Sequence, residues 1–400
     1  MLSPEKQNAS AQLAAQEDGP RQGREISQAA PQTDDIPVID LNAYLSTAAD
    51  GSPSETALAE CNKVAECFHR YGIILIRDPR VNMSDNDTYI DLMEEYFADV
   101  GDRFYANETI SDIKPEFHYQ VGATPEFIEK ARNHSEKLSA LNLAPEDTPE
   151  SPLEPVLDAK WRFMWKIGER PDGASDDFPA VKPERYPDWE DKMNTWGGKL
   201  HSAIFTVAEM AAIGMGVEKS AFTSRMEGGA HLLAPTGSDL VKNDIGAIFA
   251  GFHYDISFMT IHGKSRYPGL FVWTRDWKKK AVKIPEGCLL IQSGTSFEHI
   301  TGGYVLSGFH EVVYTEATKE AVKRRAQQFE ALGINRRQWR VSSTMFTHFR
   351  NDVDIGPMAE LSHLYTPDQA AQYPRMTAFE ILMQELSATG MTFDQATHSE

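Results

Sequence analysis

Two histidines and one aspartate carry the most chemistry in this sequence. His253 and Asp255 stand two apart in Gly251-Phe252-His253-Tyr254-Asp255, and His310 follows in Gly308-Phe309-His310-Glu311-Val312-Val313, 55 residues after Asp255. Two imidazoles and one carboxylate are the ligand set of a facial triad, which holds Fe(II) on one face and leaves the opposite face open. An H-x-D pair suits that task, because alternate residues of a strand project to the same side. The second histidine then has to return from a distant strand. A neutral imidazole binds metal through one ring nitrogen, and a hydrogen bond on the other sets its orientation. Further on, Arg340 and Ser342 are two apart in a strand-like run, so both leave the strand on one face. A guanidinium and a hydroxyl so placed grip a carboxylate, the guanidinium through a bidentate fork.

Other residues compete for these roles. His299 lies 11 residues before His310 and is the other downstream histidine of the same stretch. His262 reads as structural or pocket-lining, and His348 as packing. The run Lys160-Trp161-Arg162-Phe163-Met164-Trp165-Lys166 alternates in the manner of a strand lining a barrel mouth. Arg162 or Lys166 is therefore a candidate for pairing with a substrate carboxylate, with a solvated strand edge as the alternative for each. Phe252, Tyr254 and Phe309 flank the triad and are candidates for the pocket border, with plain packing as the alternative.

Positioning such groups takes strands. After about residue 225 the sequence breaks into short apolar runs separated by Gly, Pro and charge, the pattern of a β-sandwich or jelly roll. Before that point helical patterns alternate with loops. Residues 54–71 form a helix closed by Gly72 ahead of the buried-strand run Ile73-Ile74-Leu75-Ile76. Helices are also predicted at 86–104, 124–140 and 189–216, and loops at 144–156 and 170–187. Residues 1–34, rich in Gln, Ala, Ser, Asp and Pro, read as a flexible tail. The segments are then the tail, a helical and strand region at 35–224, a jelly-roll core at 225–350 and a helical extension at 351–400.

Composition narrows the functional classes. The chain has 400 residues, 41% hydrophobic and 24% charged, with a formal net charge of −20. That balance fits a folded enzyme and argues against a nucleic-acid or anionic-membrane partner. Cys61, Cys67 and Cys288 form no C-x-x-C motif, and their odd number fits a reducing, cytoplasmic compartment. No apolar run is long enough to span a bilayer, and no signal-peptide core is visible at the N-terminus.

Together these residues resemble the isopenicillin N synthase-like branch of the Fe(II)/2-oxoglutarate-dependent oxygenases. The resemblance spans roughly 35–350. Asp35-Ile36-Pro37-Val38-Ile39-Asp40-Leu41 is similar to the family's opening strand, and Ala65-Glu66-Cys67-Phe68-His69-Arg70-Tyr71-Gly72-Ile73-Ile74 to its first helix and following strand. Asp158-Ala159-Lys160-Trp161-Arg162-Phe163 is a looser match to D-x-K-E-x-F. Ile284-Pro285-Glu286-Gly287-Cys288-Leu289-Leu290-Ile291-Gln292-Ser293-Gly294 resembles the P-x-P-G-strand-G-D segment, and Ser296 to Tyr304 the segment leading to the distal histidine.

The resemblance implies a mainly β fold with flanking helices: a double-stranded β-helix (jelly-roll, cupin-like) core with an N-terminal helical region. It implies that Fe(II) is held by His253, Asp255 and His310, and that Arg340 and Ser342 hold the distal carboxylate of 2-oxoglutarate. It further implies oxidation of a small organic molecule by O2, with hydroxylation, desaturation or cyclisation as outcomes and succinate and CO2 released. Asp255 argues against halogenation. Two departures stand out. Arg340 follows His310 by 30 residues rather than about ten, through a helix-like insert at 316–337. The family's N-Y-Y-P segment is replaced by His231-Leu232-Leu233-Ala234-Pro235, with no tyrosine. Three alternatives stay open: an oxidase of the isopenicillin N synthase type that uses no 2-oxoglutarate, a non-catalytic ligand-binding jelly roll, and a protein-modifying hydroxylase.

Overall fold

The computed structural model describes residues 36–46, 53–170 and 178–389. The expected tail at 1–34, part of the loop at 170–187 and the end of the C-terminal extension lie outside them. Fourteen strands are present among the described residues: β1 (Val38–Asp40), β2 (Ile73–Arg77), β3 (Gly122–Thr124), β4 (Trp161–Lys166), β5 (Leu232–Leu233), β6 (Thr236–Asp239), β7 (Ile248–His253), β8 (Met259–His262), β9 (Leu270–Trp273), β10 (Lys279–Ala281), β11 (Leu289–Ser293), β12 (His310–Val313), β13 (Trp339–Ser342) and β14 (Met345–Thr347). They form two sheets. The larger runs β1-β2-β11-β8-β14-β5-β4-β6-β13 with β3 on β4, and the smaller β10-β9-β12-β7. This is the expected jelly-roll core with flanking helices.

The N-terminal strands are built into that core. β2 pairs antiparallel with β11, and β4 lies between β5 and β6. The sheet therefore runs across the division drawn at residue 224. Helices Glu55–Tyr71, Met83–Tyr105 and Trp189–Gly214 pack on the larger sheet through one continuous apolar cluster, which includes Phe68, Phe97, Trp161, Trp189 and Phe258. Ser54 caps the first of these helices, its hydroxyl accepting from Ala57 N at 3.1 Å. Gly72 ends it with a φ of 66°.

The helix expected over 124–140 shrinks to Ser135–Leu141. Long-range pairing overrides the local pattern there. Phe127 N bonds Asp158 O at 2.9 Å, Asp158 N bonds Glu129 O at 2.8 Å, and Lys130 bridges Leu157. The segment is held extended along residues 157–158, which sets Glu129 beside the start of β4.

The insert is a helix, Glu316–Leu332, capped by Thr315 and ended by Gly333. Thr318 is its one buried residue. Ala321 and Val322 rest on a cluster that includes Phe249, Tyr267 and Tyr314. It lies outside the barrel as expected, but it supplies no lining residue to either cavity beside the triad.

Candidate metal centre and its two chambers

The two histidines meet because the smaller sheet sets them opposite one another. His310 on β12 pairs in register with His253 on β7, and the ring centroids are 4.2 Å apart. Asp255 follows two residues after the end of β7. Its Oδ1 lies 3.7 Å from His253 Nε2 and 3.9 Å from His310 Nε2. One donor atom from each residue fits within a 4.8 Å span. The triad expected from spacing is thus a spatial cluster, and it is the one such group among the described residues.

Neighbours fix the orientation of each ligand. His253 Nδ1–H donates to Gly251 O at 2.6 Å, and His310 Nδ1–H to Gly308 O at 3.0 Å. Both Nε2 atoms are left as the metal-binding lone pairs. The Gln292 amide also lies 3.1 Å from His310 Nδ1. Thr260 donates to Asp255 Oδ2 at 2.6 Å, which leaves Oδ1 for the metal. Burial, with His310 close by, pushes His253 down to about 3, so it stays neutral. Burial raises Asp255, but the neighbouring imidazoles, the Thr260 hydroxyl and Arg162 together hold the carboxyl below its usual range. These donors fit a divalent cation: two imidazole nitrogens and one carboxylate oxygen converge, each held from behind.

The triad opens on two chambers. The larger, about 510 Å³, lies between the sheets and is lined by Arg340 and Ser342 together with Thr260, His262, Gln292 and Lys264. Arg340 is buried, and its Nε donates to Pro268 O at 2.9 Å. It forms no ion pair with any described carboxylate. Burial alone pushes its guanidinium down to about 10. A buried, unpaired guanidinium is costly unless an anion joins it. Ser342 Oγ lies 2.9 Å from Thr344 Oγ1. Across the ladder, Ser238 pairs with Arg340 and Thr236 with Ser342, and both hydroxyl residues line the chamber.

The smaller chamber, about 180 Å³, shares Lys160, Arg162, His253, Asp255 and Phe346 with the larger one and extends to Tyr254, His348 and the C-terminal helix. Leu382, Glu385 and Leu386 of helix Ala378–Thr389 roof it. The Arg132 guanidinium bonds Glu385, and Tyr254 donates to the same carboxylate at 3.2 Å. Glu129 pairs with Arg162 at 2.9 Å and with Lys160 at 3.1 Å. Lys160 also bonds Asp158, which accepts from Gly251 N at 2.9 Å. This chain of contacts runs from β4 to the peptide that orients His253.

Of the four substrate candidates, the structure brings Arg162 and Tyr254 to the chamber. Lys166 lines neither chamber, although it shares a face of β4 with Arg162 and Met164. Phe252 points the other way from His253 and stacks on Phe309 at 4.8 Å, edge-on to Trp273. It is a packing residue because the strand alternates. His299 lies on helix Thr295–Ile300, against Tyr373. His262 lines the larger chamber, and His348, read as packing, borders the smaller. Sequence reasoning missed Glu129, Gln292 and Glu385. Lys160 and Asp158 stand in the visible Asp158-x-Lys160-x-Arg162 alternation, which by itself assigns them no role.

Neither a protein-family model nor a curated protein matches the chain. Solved structures do match it. A Caulobacter crescentus protein attributed to the 2OG-Fe(II) oxygenase family is 21% identical over 88% of this chain and 98% of its own, with a TM-score of 0.63. A full-length Neurospora crassa protein, solved with alpha-KG, is 18% identical over 91% of this chain and 100% of its own, with a TM-score of 0.64. A rice dioxygenase for auxin oxidation is 16% identical over 90% and 98%, with a TM-score of 0.57.

Proposed function

The chain has the fold of the 2OG-Fe(II) oxygenases, and we propose that it is a non-haem Fe(II)- and 2-oxoglutarate-dependent oxygenase of a small organic molecule. The observation that carries this reading is Arg340: a buried guanidinium with no carboxylate partner among the described residues, in the same chamber as a two-histidine, one-aspartate cluster. His253, Asp255 and His310 would hold Fe(II). Arg340 and Ser342 would hold the distal carboxylate of 2-oxoglutarate. Bound iron would supply the O2-dependent oxidation of a C–H bond, coupled to release of succinate and CO2. The protein's part would be to bind and orient the reactants.

The organic substrate would occupy the smaller chamber, beside Arg162 and Tyr254. The Neurospora crassa protein has also been solved with thymine, a small ring of the size class this chamber suits. Whether this chain hydroxylates, desaturates or cyclises depends on the substrate held there. The buried, unpaired thiols of Cys61, Cys67 and Cys288 support a reducing, cytoplasmic setting. Among the described residues no helix is long and apolar enough to cross a membrane.

The test is anaerobic addition of Fe(II) and then 2-oxoglutarate to the purified chain. A weak visible charge-transfer band and O2-dependent succinate release are expected. Substrate oxidation with no 2-oxoglutarate consumed would instead establish the oxidase alternative.

A further inference from the structure

The larger chamber extends well beyond the space between the triad and Arg340. At about 510 Å³ it belongs to the size class that takes drug-sized ligands, whereas a five-carbon dicarboxylate fills only its inner part. Its long axis is legible along one strand. Thr260 bonds Asp255 at the inner end. His262 follows one two-residue step along the same face of β8, and Lys264 lies two residues past the end of that strand. All three line the chamber, and opposite them Gln292 pairs with Thr260 and Leu290 with His262. Lys264 lines the chamber together with Val282, Lys283 and Ile284 from the segment after β10. Lys264 and Lys283 are exposed there.

The chamber's charge runs against that of the protein. Its lining carries Lys160, Arg162, Lys264, Arg266, Lys283 and Arg340, against Asp255 and Glu286. The whole chain carries −20. Arg266 is engaged by Asp91 at 2.6 Å and Glu94 at 3.1 Å, and Lys160 and Arg162 by Glu129. Lys264 forms no ion pair with a described carboxylate. A cationic, low-dielectric cleft of this kind focuses the field and draws a dianion in against the acidic balance of the whole chain. The smaller chamber carries no such excess of cations, since its lining sets Lys130, Arg132, Lys160 and Arg162 against Glu129, Asp158, Asp255 and Glu385.

We propose that the outer mouth between Lys264 and Lys283 is the port through which the dicarboxylate co-substrate enters and the dicarboxylate product leaves, separate from the chamber that holds the organic substrate. This rests on the oxygenase reading above. Two doors free the exchange of co-substrate for product from the binding of the organic molecule. Lys264 and Lys283 steer the dianion inward, and Arg340 receives it.

The test is anaerobic stopped-flow mixing of the Fe(II)-loaded full chain with 2-oxoglutarate, following the charge-transfer band. In Lys264→Glu/Lys283→Glu, association should slow about tenfold at low salt, and the difference should close near 1 M salt, where charges are screened within about 3 Å. Val282→Trp narrows the mouth and should slow association and dissociation by the same factor, leaving Kd in place. Leu382→Trp fills the smaller chamber and should leave association unchanged. Wild-type rates and salt dependence in the double variant would overturn the port, as would slowed association in Leu382→Trp. No band in the wild-type chain would overturn the oxygenase reading itself, a result distinct from an intact band with unaltered kinetics in the variants.

Discussion

His253 and His310 face each other across a single rung of the β7–β12 ladder, with ring centroids 4.2 Å apart. This one pairing turns a 57-residue separation in sequence into a chelating pair. Each imidazole is anchored through Nδ1 to the carbonyl two residues before it, so both rings present Nε2 to the same point. His310→Ala should therefore lower Fe(II) affinity by at least about 100-fold, the scale expected when a direct ligand is worth more than its supporting hydrogen bonds. The fold should persist, because the ring faces a chamber rather than the core. Anaerobic metal titration with circular dichroism measures both, and full metal affinity in that variant would refute the triad.

The support of Asp255 makes a finer prediction. Thr260 donates to Oδ2 at 2.6 Å and in turn lies 2.9 Å from Ser257 Oγ. Thr260→Val keeps the shape and removes the donor. Metal affinity should fall about 10- to 100-fold with little change in melting temperature. An unchanged Fe(II) dissociation constant would mean that Asp255 is held in place by its backbone alone.

Strand alternation, a local rule, put Arg340 and Ser342 on one face of β13, whereas Asp255 lies past the end of β7 and His310 joins His253 only through the β7–β12 pairing. The same rule misleads where a strand ends or its parity is unknown. Lys166 shares a face with Arg162 yet lies beyond the chamber, and Phe252 turns away from the metal while its neighbour His253 turns toward it. Glu129 was hidden for another reason. Its segment has helical composition, but the backbone pairs with residues 157–158 and stays extended. Glu385 was out of reach for a third, since its partner Arg132 lies 253 residues away. Contacts of that range are set by how the layers pack, and no local periodicity encodes them.

Arg340 should show a trade between stability and binding. Its guanidinium is buried without a carboxylate, so Arg340→Met should stabilise the protein without co-substrate, by about 1–3 kcal/mol, while abolishing 2-oxoglutarate binding. Arg340→Lys should weaken binding at least about tenfold, because a point charge replaces a fork. The sign with pH follows from burial. The folded value, about 10, lies below the guanidinium's ordinary range, so the cost of the buried charge is present at neutral pH and is relieved as pH rises past 10. Denaturant melts of wild type and Arg340→Met check this. A destabilised Met variant would show that Arg340 is already compensated.

The insert helix Glu316–Leu332 offers a control that separates scaffold from site. No residue of it lines either chamber, but Ala321 and Val322 cover Phe249, Tyr267 and Tyr314. Replacing it by a tight turn should expose those aromatics, cost about 2–4 kcal/mol, and leave Fe(II) and 2-oxoglutarate binding within a few-fold of wild type. A shortened chain that folds but uncouples 2-oxoglutarate decarboxylation from substrate oxidation would instead assign the helix a role in closing the site.

Glu129 joins stability, pH and the active site in one residue. Its carboxylate lies 2.9 Å from Arg162 and 3.1 Å from Lys160. Burial raises its pKa, but the two cations outweigh burial and hold it below the usual carboxylate value of 4.5. A depressed folded value means that the carboxylate's contribution is fully present above 4.5 and is lost as pH falls through the folded value. Glu129→Gln leaves two largely buried cations short of a counter-charge and should cost about 3–5 kcal/mol at pH 7. The gap to wild type should narrow steadily below pH 4.5. Adding Arg162→Met to Glu129→Gln should restore part of the stability, since one uncompensated charge leaves with its partner. The double variant should still bind Fe(II) and 2-oxoglutarate through groups it does not touch, while losing its grip on the organic substrate. Equal stability of wild type and Glu129→Gln at pH 7 would show that solvent already compensates Lys160 and Arg162, and the network would then play no part in holding β4 against the metal centre.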